Sequence, residues 1–432
     1  MVKIIRTVKK YTNLLAVNFG IIAFAVQGFT ADFSLKGYAT LDKGTTGGGG
    51  GTVTTVTSIA ELDAFASACE KDDIKAPQIL NIKGKISYTG SEGYVITIKR
   101  SANITIQGDA SIGGELFNIG LNLVSDTNMI VQNLYIHEVF YASDALTIDR
   151  CKNIWVNRCE MHSKTGDGIT VDTYDGLLDI KKGSINITIS WCKLHDHMKC
   201  SLIGHTDKTG NGDENMNITY HHNWFYNTDG RNPSIRFGTV HMYNNIYESI
   251  TDYGIAARDG AHAKVEYCIY KDVTLPMTTD KFTVEEYPDG YICESNNIFT
   301  GCGENSIGQA GCDYFTASTL PYSYTPDPVN SIDAIVKTNA GVPGRAVSAN
   351  HSSGNKRPDI AGVKASLENN NITIVSKELI KSVMLADISG RVIHRQNVDS
   401  FTALIAMNSF SNKVYNIKVE TVSGGSCYRI VR

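Results

Sequence analysis

Proline is scarce, 9 in 432 residues, and no two of the ten cysteines stand in a Cys-x-x-Cys spacing. The second absence excludes the usual structural zinc framework. Excess positive charge is also missing. At a net charge of −4 the chain has no global attraction to a polyanion, so nucleic-acid binding through bulk charge is excluded and any basic character must be local. No apolar run reaches the roughly 18 residues that a membrane span needs. Long amphipathic helices are hard to find. Against these absences stand 39 glycines, 21 tyrosines and many Asn-Ile and Thr-Val pairs, a composition of short strands and tight turns.

Residues 1–28 read as a secretory signal. Lys3, Arg6, Lys9 and Lys10 form a basic start, Leu14 to Val26 an apolar run, and Ala23-Phe24-Ala25 or Val26-Gln27-Gly28 a cleavage site. The expected location is therefore secreted or cell surface, where cysteines can pair. Cys302 and Cys312, neighbours in a Gly-rich loop, are the expected disulfide.

After the glycine run Gly47 to Gly51, residues 58–69 carry apolar residues at helical spacing behind a Ser58 N-cap, with Glu61 three residues on. This helix is expected to cap the open end of a stacked repeat. The repeat begins some thirty residues later, its segments opening at Asn103, Asn128, Asn153, Asn186, Asn217, Thr239 and His262, in steps of 25, 25, 33, 31, 22 and 23 residues. Such steps suit a parallel β-helix of about three short strands per coil, with loops lengthening on one side. Six residues after each of the last five starts stand Cys159, Cys192, Asn223, Asn245 and Cys268, an inward column in which the asparagines would ladder along the axis and the cysteines would be buried thiols. A second column, Ala145–Ile148, Leu177–Ile180, Ser201–Gly204, Ser234–Phe237 and Gly254–Ala257, would form one parallel sheet. The two longest steps flank it and would wall a cleft. Residues 344–359 read as a linker. Residues 360–432 alternate apolar and polar with turn signals, the pattern of a small β-sandwich.

Charged residues gather on the second column. Asp144, Asp175 and Asp179 are candidate ligands for a hard cation, Ca²⁺ before Mg²⁺ if the site is open, with Gly176 permitting a bend between two of them. The alternative is three turn or cap aspartates. Lys199, Arg231 and Arg236 suit carboxylate binding; the alternative is solvated surface charge or ion pairing to those same aspartates. His195, His197, His221, His222 and His241 are expected to be structural, since no third ligand follows the pairs at metal spacing.

Several segments together resemble polysaccharide lyase family 1, the pectate lyases. They are Asp144–Ile148, Asn153–Val156, Tyr174–Ile180, Thr188–Trp191, His197-Met198-Lys199, Tyr220–Asn223, Arg231–Gly238 and His241–Asn245, within residues 44–343. The resemblance implies an all-β chain: a right-handed parallel β-helix with an N-terminal capping helix, plus the C-terminal β-sandwich. It implies β-elimination on polygalacturonate, Ca²⁺ held by Asp144, Asp175 and Asp179, substrate carboxylates held by Lys199 and Arg236, and Arg231 as the base that takes the C5 proton. An arginine base is demanding, because a free guanidinium titrates above about 12. Nearby Ca²⁺, Lys199 and Arg236 are expected to favour its neutral form. Pectin lyase action on methylated polymer, or a non-catalytic β-helix that binds acidic glycans, are the alternatives. The family often has Asp-His where this chain has Asn157-Arg158, a change expected to alter charge near the site. Residues 360–432 resemble a type IX secretion sorting domain through Asp387–Val392 and the final Tyr428–Arg432, which implies contact with secretion machinery; a carbohydrate-binding module is the competing reading. The chain is expected to be a monomer.

Overall fold

The computed structural model describes residues 31–71, 76–141, 143–166, 168–282, 286–344, 364–368, 371–386, 392–406, 414–421 and 424–431. The expected signal segment, the linker beyond Gly344 and residues 387–391 of the C-terminal motif lie outside them.

The chain visits three sheets in rotation. Tyr94–Lys99 lies in the second sheet, Ala102–Gly108 in the first, Gly114–Phe117 in the third, and Ile119–Val124 returns to the second. Repeated coil by coil, this gives parallel sheets of ten, eight and nine strands, a right-handed parallel β-helix. The register follows the sequence repeat without a slip. Ile104, Met129, Ile154, Ile187, Ile218, Val240 and Ala263, each one residue past a repeat start, face one another across the first sheet. All seven are fully buried, and each large aliphatic burial contributes roughly 1.5–3 kcal/mol.

Asparagine opens the coils for a backbone reason. Asn103, Asn128, Asn153 and Asn186 turn the chain with φ of 56–60°, a left-handed corner that asparagine tolerates best after glycine. Their amides also bond along the axis, Asn128 Nδ2 to Asn103 Oδ1 at 2.7 Å and Asn217 Nδ2 to Asn186 Oδ1 at 3.2 Å. The expected inner ladder is present as well, with Asn223 Nδ2 donating to Asn245 Oδ1 at 3.0 Å, and Cys159 and Cys192 are buried free thiols. Beside it Phe225, Tyr247 and Tyr270 stack at 5.0 and 4.6 Å.

The capping helix spans Ile59–Glu70 and packs on Tyr94–Lys99. Ser58 Oγ accepts from Glu61 N–H at 3.3 Å, while Glu61 reaches back to Thr57 N–H at 2.7 Å. A second helix, Val329–Asn339, was not expected. Its Ile332 and Val336 seat on Trp224, Ile246 and Ile269, the outer face of the third sheet. The disulfide also differs from expectation: Cys312 bonds Cys293, not Cys302, which is free. Cys293 lies on strand Tyr291–Ser295, so coil stacking brings together residues 19 apart in a way that loop proximity does not. At the C-terminal end, five antiparallel strands between Lys364 and Val431 form the small β unit. Ile372, Ile374, Ile380, Val383 and Leu385 are buried on its long strand Asn371–Ala386.

Candidate active site

The second sheet carries the candidate column as expected, in strands Leu146–Asp149, Leu178–Lys181, Ser201–Ile203, Ser234–Arg236 and Ile255–Arg258. Asp144 precedes the first strand and Asp179 lies in the second, and both are buried. Asp144 Oδ1 accepts from Gly176 N–H at 2.9 Å and its Oδ2 from the Thr147 hydroxyl at 2.7 Å. Asp179 Oδ1 accepts from Leu202 N–H at 3.0 Å. Between the two carboxylates stands Lys181, its Nζ 2.7 Å from Asp144 and 3.4 Å from Asp179. One lysine shared by two buried acids is not enough. Burial, and then the neighbouring Asp144, push the Asp179 carboxyl up to about 8 against the pull of Lys181 and Arg231. Lys181 itself is held charged: burial opposes this, but Asp179 and Asp144 outweigh it.

Gly176 works through its missing side chain rather than through a special bend. A Cβ there would lie 2.4 Å from Asp179 Oδ1 and 2.9 Å from Asp144 Oδ1. Gly176→Ala should therefore push both acids apart, lowering stability by about 1–3 kcal/mol and reducing activity with it. Thermal melts and rate measurements on the purified variant check this.

Asp175 pairs with a different lysine. Its side chain is half exposed and pairs with Lys199 Nζ at 3.1 Å. Ion pairing to an aspartate, one of the alternatives for the cations, is thus what Lys199 does. Among the described residues no three acids, histidines or cysteines converge as a ready cation cluster. Lys199 closes strand Lys193–Lys199 of the third sheet, and Arg231 sits at the next corner, where Ser201 N–H donates to its carbonyl at 2.7 Å. Arg231 has a left-handed backbone (φ 59°), but so do Arg100 and Arg158, so the conformation marks a coil corner rather than the site. Arg236 is engaged by Asp207 and donates through Nη1 to Gly204 O at 3.0 Å. Of the three candidate cations, Arg231 alone has no ion pair or hydrogen bond from its guanidinium among the described residues.

Sequence reasoning missed Lys181, His197 and Asp207 as site residues. Lys181 was legible, since strand alternation puts it on the same face as Asp179. His197 was expected to be structural, and it is, but in service of the site. Its Nε2–H donates to Asp175 O at 2.5 Å and its Nδ1 accepts from Ser163 Oγ at 2.9 Å. Burial holds the ring neutral, its titration lowered to about 4. The remaining candidate histidines are network groups: His195 bonds Glu160 and Asp196, His222 bonds Asp327, and His241 bonds Glu266 and Tyr322. At the Asn157-Arg158 departure, Asn157 ends a first-sheet strand and accepts from Ser190 Oγ at 3.1 Å, and Arg158, at the left-handed corner after it, rests over the Phe33 ring.

Comparison with known proteins places the fold in a family. The pectate lyase family model matches residues 10–344. A pectate trisaccharide-lyase of Bacillus licheniformis is 38% identical over 314 residues, 72% of this chain and 87% of that protein. Pectate lyase A of Emericella nidulans is 36% identical over 310 residues, 71% of this chain and 86% of that one. Among solved structures, a pectate lyase from Bacillus sp. N165 in complex with trigalacturonate superposes with a TM-score of 0.64 at 29% identity, covering 72% of this chain and 99% of its own. With its β-helix, its acid column and its arginine corner, the chain belongs to the pectate lyase family and is a polysaccharide lyase.

Proposed function

We propose that this lyase cleaves de-esterified polygalacturonate by Ca²⁺-dependent β-elimination, leaving 4,5-unsaturated oligogalacturonides. Support comes from one juxtaposition: two buried carboxylates sharing a single lysine, near a guanidinium that makes no ion pair among the described residues. Asp144, Asp175 and Asp179 offer only oxygen donors, and burial, then the neighbouring Asp144, raise Asp179, so its charged form is one that a hard divalent cation would stabilise. These three would hold Ca²⁺ once Asp175 exchanges Lys199 for the ion, since they do not converge as they stand. When bound, the ion supplies charge withdrawal from a uronate carboxylate, which acidifies the C5 hydrogen.

The chain's own groups do the rest. Lys199 and Arg236 hold substrate carboxylates and so fix the sugar ring. His197 anchors the Asp175 backbone and keeps that turn in place. Arg231 receives the C5 proton on a guanidine nitrogen, and the C5–H electron pair forms the C4–C5 double bond as the C4–O bond breaks towards oxygen. All three acids favour free uronates over methyl esters, and the relative named a pectate trisaccharide-lyase and the neighbour holding trigalacturonate fit the same substrate class. In the test, absorbance of unsaturated product should rise on polygalacturonate, stop with chelator and return with added Ca²⁺. Full turnover after chelation, or faster turnover on methylated pectin, would overturn the proposal.

The C-terminal β unit is proposed as a sorting domain for type IX export to the cell surface or medium, on the strength of its sequence motifs and antiparallel strands. Secretion lost on truncation after residue 359, with lyase activity retained in the cells, is the expected outcome.

A further inference from the structure

Arg236 is not free to choose its orientation. The long loop from Gly204 to Met216, between second-sheet strand Ser201–Ile203 and first-sheet strand Asn217–His221, carries Asp207 across two rungs of the second sheet. One Asp207 oxygen, Oδ1, accepts from both Arg236 Nε and Arg258 Nη2, the latter at 2.5 Å. The two arginines are register partners on neighbouring strands. Arg258 is held at two further points: Nη1 donates to Phe282 O at 3.1 Å, and Nε makes an ion pair, without a hydrogen bond, at 3.3 Å from the buried Asp259. Arg236 is committed at two nitrogens only, Nε to Asp207 and Nη1 to Gly204 O at 3.0 Å. Its Nη2 has no protein partner among the described residues.

The loop is itself fastened from behind. Asp213, fully buried, accepts from Gly183 N–H at 3.1 Å and from His205 N–H at 3.0 Å, and bonds the His205 ring at 2.8 Å. At its start, Gly204 (φ 84°) lies so close to Arg236 that a Cβ would meet the Arg236 carbonyl oxygen at 2.7 Å. Loop and arginine are therefore built as a unit. Without Asp207 the nearest remaining acid is Asp259, whose Oδ2 is 3.9 Å from Arg236 Nε. The guanidinium would be pulled inward, away from solvent.

We propose that Asp207 is a positioning residue for substrate binding: it clamps the Nε edge of Arg236, with Arg258 as its second anchor, so that Nη2 is the edge presented to a uronate carboxylate. The inference rests on the reading that Arg236 binds substrate carboxylates. It explains why the loop that lengthens this coil carries an acid where a polyanionic substrate must approach. That acid is already consumed by two guanidinium groups, and Arg236 and Arg258 hold its carboxyl low although burial opposes them.

The test is a double-mutant cycle on polygalacturonate, with melting temperatures measured alongside. Asp207→Ala should raise KM about tenfold with a smaller change in kcat. Asp207→Asn, which keeps the Oδ1 acceptor, should restore most of the KM. In an Arg236→Ala background, Asp207→Ala should add less than about twofold, because its effect passes through Arg236. Equal, additive losses in both backgrounds, or a kcat loss with unchanged KM that follows the melting temperature, would overturn the clamp and leave Asp207 a loop staple. An Arg236→Ala variant with wild-type KM would instead sink the reading of Arg236 as a carboxylate binder, and the clamp with it. Wild-type activity on polygalacturonate tests the broader function separately.

Discussion

Arg231→Ala should lower kcat on polygalacturonate by about 10²–10⁴-fold, the range for a lost general base, with the melting temperature nearly unchanged. The second half of that expectation is structural. Arg231 has no ion pair or side-chain hydrogen bond to lose among the described residues, and its carbonyl still accepts from Ser201 N–H after substitution. Its left-handed backbone is no worse for alanine than for arginine, since both carry a Cβ. Arg231→Lys separates charge from chemistry. It keeps a cation at the corner but not the planar fork of nitrogens, so a variant at full rate would remove Arg231 from the base role and leave it an electrostatic group. The measurement is initial rate from unsaturated-product absorbance at saturating substrate, paired with a melt.

Asp179→Asn should trade activity for stability. In the folded protein the Asp179 carboxyl is pushed up to about 8 from an ordinary 3.8, by burial and by Asp144. A carboxyl raised on folding contributes stability that is full below about pH 4 and is lost as pH climbs through 8. Near pH 8 without metal, the wild-type protein therefore carries a penalty that an uncharged asparagine avoids, while asparagine Oδ1 can still accept from Leu202 N–H. The variant should melt roughly 2 °C higher at pH 8, on the order of 1 kcal/mol, and the gain should vanish near pH 4. Calcium affinity should fall about 100-fold, by loss of a direct ligand where even outer groups matter, and activity should fall with it. In the wild type, calcium binding should tighten as pH rises from 6 to 8, because the ion competes with a proton. Titration calorimetry across that range decides the point. Affinity flat with pH, or a variant less stable than wild type in metal-free buffer at pH 8, would show that Asp179 is not the strained member of the pair.

Much of the fold was legible because a β-helix writes its period into the chain. The repeat starts at Asn103, Asn128, Asn153 and Asn186 coincide with left-handed corners, and the residues after them stack in unbroken register. Period-two alternation explains the buried column, and the Ser58–Glu61 pair marked the helix start. The second helix was less visible. Its apolar residues Ile332, Ile335 and Val336 do stand at helical spacing, but behind Pro328 no side chain caps the helix start, and it is the apolar patch of Trp224, Ile246 and Ile269 that gives Ile332 and Val336 a surface. The disulfide failed for a similar reason. Cys302 is nearer in sequence to Cys312, whereas Cys293 is nearer in space, one coil's stacking outweighing ten residues of loop.

By itself the sequence determined the coil period, the sheet that bears the charges and the identity of six candidate side chains, since these follow from local backbone preference and burial pattern. Only the tertiary structure decided how those side chains divide. Asp144 and Asp179 close on Gly176 around one lysine, Asp175 pairs with Lys199, Asp207 claims Arg236, and Arg231 has no ion pair among the described residues. Pairing among charges depends on distance across neighbouring rungs. Rungs are brought together by loops whose lengths, not whose local propensities, set which groups meet.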